Sequence, residues 1–227
     1  LGDVYKRQLE QRKRAILAAG NEQRHIDQYG QWYLKQSASE APDVPDEAYY
    51  DGAQTRVAVE KLKEFFGRPE PFFLGVGYYR PHLPFNAPKK YWDLYNRAEI
   101  RLAKNAFQPK GAPTMAGNMN RELRGYQDFL TAPKPHEGSL GEAESRRLRH
   151  GYLASVSYVD AQVGKLLDAI DRNGLRENTN VVLWGDHGWK LGEHNGWGKM
   201  TNYEVDARVP LMVRAPGYAS GRCDRLV

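Results

Sequence analysis

NVVLWGDHGWKLGEHNGWGKM, residues 180–200, is the stretch on which the reading of this chain turns. Its first five residues are a short apolar run between turn formers, and they read as a strand. Past Trp184 the composition switches to Gly, Asp and His. In open α/β sheets ligands bind beyond the carboxyl ends of strands, so Asp186 and His187 stand where a site is expected. Adjacent Asp and His side chains can offer an oxygen and a nitrogen to one cation if the turn bends both inward, and Gly185 and Gly188 permit that bend. The competing reading is an Asx-type turn with a solvated histidine. Lys199 follows 13 residues after Asp186, in a loop whose Gly192, Gly196 and Gly198 let the chain fold back over the strand end. A lysine there can pair with an anion or protonate a leaving oxygen, or it can be an ordinary exposed lysine. Glu193 and His194 share the loop and rank below it.

Upstream, Leu148, Tyr152, Val156, Val159, Val163, Leu166 and Ile170 recur at spacings of three and four, which predicts a helix over 143–172 closed by Asn173 and Gly174. Downstream, VPLMV at 209–213 reads as another strand, ended by Ala215, Pro216 and Gly217. Further back, FFLGVGY at 72–78 is apolar and bounded by prolines, again strand-like. The segment RPHLPFNAPKKYWDLY at 80–95 has three prolines in its first nine residues, so an irregular loop should precede a short helix at 89–95. Pro81 and Pro84 brace His82 just past that strand end, with Arg80 before it. Taken alone, a loop histidine is most often polar surface. Two strand ends presenting polar clusters on one sheet rim favour a shared site.

The remaining segments complete the pattern. Helices are expected at 8–19 and from Asp51, where Gln54 is placed as in a capping box and Val57, Leu62, Phe65 and Phe66 form an apolar face. Residues 96–142, rich in Gly, Pro, Asn and Lys, read as a long surface excursion. The expected fold class is α/β, a mostly parallel sheet sandwiched by helices.

Composition narrows the class. With 41% hydrophobic and 27% charged residues the chain has the make-up of a globular protein, and no apolar run approaches the roughly 20 residues of a membrane span. The first 20 residues lack a signal-peptide pattern. One cysteine, Cys223, allows no internal disulfide and no CxxC zinc pair, so metal chemistry must use carboxylates and imidazoles. The net charge of +5 comes partly from clusters such as Arg146, Arg147 and Arg149. No reader motif accompanies them, and no nucleic-acid partner is expected.

PFFLGVGYYRPHLPFNAPKKYWDLY at 71–95, then GYLASVSYVDAQVGKLLDAIDRNGLRENTNVVLWGDHGWKLGEHNGWGKM at 151–200 and VPLMVRAPG at 209–217, resemble the type I sulfatases, in particular their iduronate-2-sulfatase-like branch. The resemblance covers roughly residues 44–217, and the ordered set of motifs makes it specific. It implies an alkaline-phosphatase-like α/β fold, a bound calcium ion (Ca2+) and a formylglycine nucleophile made from Cys or Ser. It also implies that Asp186 and His187 ligate the metal, that His82 and Lys199 are catalytic, and that family members are exported. Arg80 is expected to contact an anionic group of a sulfated carbohydrate substrate.

The family's C/S-x-P-x-R motif and its preceding aspartate pair do not occur in these 227 residues, and Cys223 is followed by Asp and Arg. The expectation is therefore a sulfuric ester hydrolase fragment, with residues 1–8 a foreign scar and 9–227 the central to C-terminal part of a catalytic domain. This chain alone is expected to be inactive. Two alternatives stay open: a phosphoester or phosphonate hydrolase of the same superfamily, and a non-enzymatic fragment that binds acidic polysaccharide through its basic surface.

Overall fold

The computed structural model describes residues 36–223 apart from 114, 115 and 118. The helix expected at 8–19 and the scar at 1–8 lie outside the described residues. In chain order the elements are β1 (Ser39–Glu40), α1 (Tyr50–Phe65), β2 (Phe85–Asn86), α2 (Lys89–Trp92), α3 (Glu142–Arg172), β3 (Val181–Trp184), β4 (Lys190–Leu191), β5 (Trp197–Gly198), α4 (Glu204–Ala207) and β6 (Leu211–Arg214), with short 3-10 turns between them. No described helix is long and apolar enough to cross a membrane.

The helix α3 spans 31 residues and forms the backbone of the molecule. Its periodicity predicted the helix, but the buried stripe is rotated from the most apolar one. Leu148, Gly151, Ala154, Ser155, Tyr158, Gln162 and Ala169 are buried, whereas Val156 is exposed. The buried stripe is small because neighbouring segments approach closely. A Cβ on Gly151 would lie 2.8 Å from both Phe85 Cβ and Trp92 Cη2. At the far end of the stripe the Tyr158 hydroxyl donates to the Asp46 carbonyl at 2.9 Å and accepts from Gly52 N–H at 2.6 Å. Asp46 itself, buried among Lys90, Lys165, Tyr91 and Gln162, ties the turn before α1 to α2 and α3. Burial works against its charge, but hydrogen bonds from these four residues outweigh it and hold the carboxyl below the usual range.

The α/β class holds, while the strand pairing is mixed rather than mostly parallel among the described residues. β1 and β2 pair parallel; β3 pairs antiparallel with β6, and β4 antiparallel with β5. The stretch 72–78, expected as a buried strand, has no ladder partner among the described residues, and Phe73 is 94% exposed. A strand needs a neighbour to accept its hydrogen bonds, and α1 supplies part of that need through side chains. Asp51 accepts from the N–H groups of Tyr79 (2.8 Å) and Arg80 (3.0 Å), and Gln54 Nε2 donates to the Gly77 carbonyl at 2.9 Å. The capping box expected of Asp51 and Gln54 does not form, because both side chains are engaged with this extended segment; the N-cap is Tyr49, without a side-chain cap.

The segment 96–141 departs furthest from expectation. Rather than a surface excursion, it buries Leu123, Tyr126 and Phe129 against Leu83, Phe85, Leu148, Trp189 and Trp197. Each such side chain contributes on the order of 2 kcal/mol by leaving water. Asp128 anchors the segment, pairing with Arg147 of α3 at 2.9 Å and accepting from Ala38 N–H at 3.0 Å. This core cluster lies directly beneath the loops that carry the predicted site residues.

Candidate active site

The loop after residue 79 is shaped from within. Arg80 directs its guanidinium to the loop's own carbonyls, Nε to Asn86 at 3.0 Å and Nη1 to His82 at 3.2 Å, and lies over the Tyr79 ring at 5.2 Å. Burial lowers its pKa, and the nearby Asp51 carboxylate opposes that shift. These contacts brace the segment that presents His82. Those donors serve the loop, so the contact with an anionic sugar group expected of Arg80 remains without support from its geometry.

His82 is held in one tautomer. Its Nδ1 lies 2.7 Å from the Leu83 carbonyl, which can only accept, so Nδ1 carries the proton and Nε2 presents a lone pair. That lone pair faces Lys199 Nζ at 2.5 Å. Burial first, then the charges of Lys199, His187 and Arg80, push the His82 pKa down to about 4, against the Leu83 hydrogen bond. The ring is therefore neutral at physiological pH.

Glu122, which the sequence did not mark, closes the group. Its Oε2 lies 3.6 Å from Lys199 Nζ and its Oε1 3.3 Å from His82 Nε2. With the imidazole neutral, the second contact is not an ion pair. Burial raises the Glu122 pKa and the Lys199 charge opposes that rise. Oε1 is buried without a hydrogen-bond partner among the described residues. In the sequence Glu122 stands between Arg121 and Leu123 in a segment read as loop, with nothing local to mark it.

Trp189 is the common wall. Lys199 Nζ sits 4.7 Å above its ring, the His82 ring is 5.4 Å away and the His187 ring 6.3 Å. Three of the five predicted site residues thus meet around this indole. Asp186 stands at the solvent edge, with its side chain 85% exposed and its Oδ2 3.7 Å from His187 Nε2. His187 Nδ1 donates to the Gly188 carbonyl at 2.8 Å, which leaves Nε2 free as a ligand nitrogen. His194, ranked lower, stacks on Tyr203 at 4.5 Å.

As a metal site the pair fits in part. Asp186 offers the hard oxygen that a calcium-type cation prefers and His187 a borderline nitrogen. Among the described residues no group of three or more His, Cys, Asp or Glu is arranged to hold an ion.

The fold and this rim have relatives. Residues 13–223 match the family model described as Sulfatase. The chain is 41% identical over 177 residues to iduronate 2-sulfatase of Mus musculus, a match covering 77% of this chain and 32% of that protein. It is 31% identical over 184 residues to choline-sulfatase of Rhizobium meliloti, covering 79% and 34%. Among solved structures, the phosphonate monoester hydrolase of Silicibacter pomeroyi superposes with a TM-score of 0.64 at 22% identity, covering 86% of this chain and 41% of that one. The architecture is the alkaline-phosphatase-like α/β core. The chain belongs to the sulfatase family. It spans about a third of the length of the curated relatives it matches.

Proposed function

We propose that this chain contributes one wall of the active site of an exported enzyme that hydrolyses sulfate monoesters, with sulfated carbohydrates as substrates. What carries the reading is the meeting of His82, Lys199 and Glu122 from three separate segments, with Trp189 against the first two. In this reading a formylglycine from a C/S-x-P-x-R motif and a calcium ion supply attack on sulfur and neutralisation of sulfate oxygens.

The residues of this chain take the other roles. As the bond between sulfur and the ester oxygen breaks, negative charge builds on that oxygen, and Lys199 donates a proton to it. Neutral His82 aligns the lysine by accepting its hydrogen bond at the Nε2 lone pair, without adding charge. Glu122 offsets the lysine charge in a dry setting, where an uncompensated ion is costly. Asp186 and His187 would occupy two positions around the cation. Arg80 sets the His82 loop.

The test uses a protein containing this chain together with a C/S-x-P-x-R motif, assayed on matched sulfate and phosphate esters of one sugar. Faster sulfate turnover, cut by about 10²- to 10⁴-fold in Lys199→Ala, is expected for a general acid. Unchanged turnover in that variant removes Lys199 from the chemistry, and faster phosphate turnover replaces the substrate class. The 227-residue chain alone, given calcium and an aryl sulfate, is expected to show no hydrolysis above blank.

A further inference from the structure

Lys190 and Asp206 form an ion pair sealed from water, each side chain 2% exposed. Lys190 comes three residues after His187, and Asp206 seven after Lys199. The Asp206 Oδ2 atom gathers donors from both sides of the loop that carries Lys199. It accepts from Lys190 Nζ, from Thr201 N–H at 3.0 Å and from Thr201 Oγ1 at 2.5 Å. Lys190 Nζ also reaches Thr201 Oγ1 at 2.6 Å and lies over the Tyr203 ring at 5.2 Å. On the other flank the Asp206 carbonyl accepts from Gly188 N–H at 2.7 Å.

The backbone is cut to fit this arrangement. A Cβ on Gly188 would sit 2.0 Å from the Val205 carbonyl oxygen, and one on Gly196 would sit 2.5 Å from Lys190 Cδ. The register of β4 on β5 sets Lys190 opposite Gly198, so Lys199 begins where the ladder ends and Thr201 lies two residues further on. Replacing a buried ion pair by apolar residues of similar size is often neutral or stabilising. Stability alone is therefore a weak account of this pair, whereas its placement gives it a second consequence.

We infer that Lys190, Asp206 and Thr201 act as a clasp whose role is to position Lys199 against His82 Nε2, holding the segments before and after the lysine in one register. The inference deepens the hydrolase reading above, since the group being positioned is the proposed proton donor. Lys190, Asp206 and Thr201 are positioning residues and touch no substrate.

The experiment follows the His82 imidazole by 15N NMR titration in the 227-residue chain, with thermal unfolding measured alongside. Lys199→Met provides the reference for a histidine without its lysine, and its His82 pKa should rise from about 4. In the double variant Lys190→Met with Asp206→Leu, which leaves net charge unchanged, the unfolding midpoint should hold or rise. His82 should nevertheless shift by at least half of the reference displacement. A double variant whose His82 titrates as in the unmodified chain overturns the proposal and leaves a purely structural pair. If the double variant does not fold, Thr201→Val, neutral and nearly isosteric, decides by the same criterion. Absence of sulfate-ester turnover in the larger protein would sink the hydrolase reading without altering this titration, so the two failures are told apart.

Discussion

Lys199 Nζ can only donate and His82 Nε2 can only accept in the 2.5 Å contact that joins them, because the other ring nitrogen is already committed to the Leu83 carbonyl. The imidazole is thereby fixed as a neutral acceptor beside a cation across 117 residues of chain.

The first expectation concerns acid. The folded His82 pKa, about 4, lies below its ordinary value of 6.5, so between these values the unfolded chain binds more protons and stability rises with pH. The contribution is fully present above pH 6.5 and is lost as pH falls toward 4. At about 1.4 kcal/mol per pH unit it amounts to on the order of 3 kcal/mol. Urea unfolding at pH 7 and pH 4.5 measures it. His82→Gln should flatten the dependence across that window, and an unaltered slope would show that other groups cause it.

Asp51 should matter more than its place in a first helical turn suggests. Asp51→Ala removes the acceptor for two backbone N–H groups, those of Tyr79 and Arg80, at a carboxylate 2% exposed. Charged hydrogen bonds of this kind are worth roughly 1.5–3 kcal/mol, so a loss in that range is expected in denaturant melts. Asp51→Asn, which keeps one acceptor oxygen, should lose less.

Gly151→Ala sets two effects against each other. Alanine gains about 1 kcal/mol of helix propensity over glycine, but its methyl would press on Phe85 and Trp92 at 2.8 Å. Overpacking costs about 1–3 kcal/mol, so the unfolding midpoint should fall. A rise would mean that Trp92 can move aside.

The outer face of the β3–β6 pair should make the chain self-associate. Val182, Trp184, Leu211 and Val213 share that face and are about half to two thirds exposed. Exposed strands with apolar faces template pairing with other chains. Sedimentation velocity should show concentration-dependent association that Trp184→Lys together with Val213→Lys reduces. Equal association in the variant would move the sticky surface elsewhere.

Much of the frame was legible in the sequence because its signals are local. The 3.6-residue period over 143–172, the apolar run ending at Trp184 and the prolines around His82 each depend on a few neighbouring residues. The rotated face of α3 was not legible, since the most apolar stripe and the stripe that finds neighbours differ by one residue, and only tertiary contacts choose between Val156 and Ser155. Asp51 and Gln54 were misread because a side chain that could cap its own helix bonds instead to a segment about 25 residues away. Glu122 and Trp189 went unmarked. Their importance comes from what lies across from them, and the three-residue spacing of Leu123, Tyr126 and Phe129 runs over too few positions, in a stretch rich in Gly, Asn and Pro, to stand out as an element.

The way residues 96–141 are built has a consequence for how relatives of this protein can diverge. One stretch supplies both the floor of the hydrophobic interior, through Leu123, Tyr126 and Phe129, and a carboxylate facing His82 and Lys199, through Glu122. Exchanging it for the corresponding stretch of another enzyme would remove the foundation together with the furniture, so new selectivity here has to arise by point changes around an unmoved triplet of anchors rather than by swapping the segment whole.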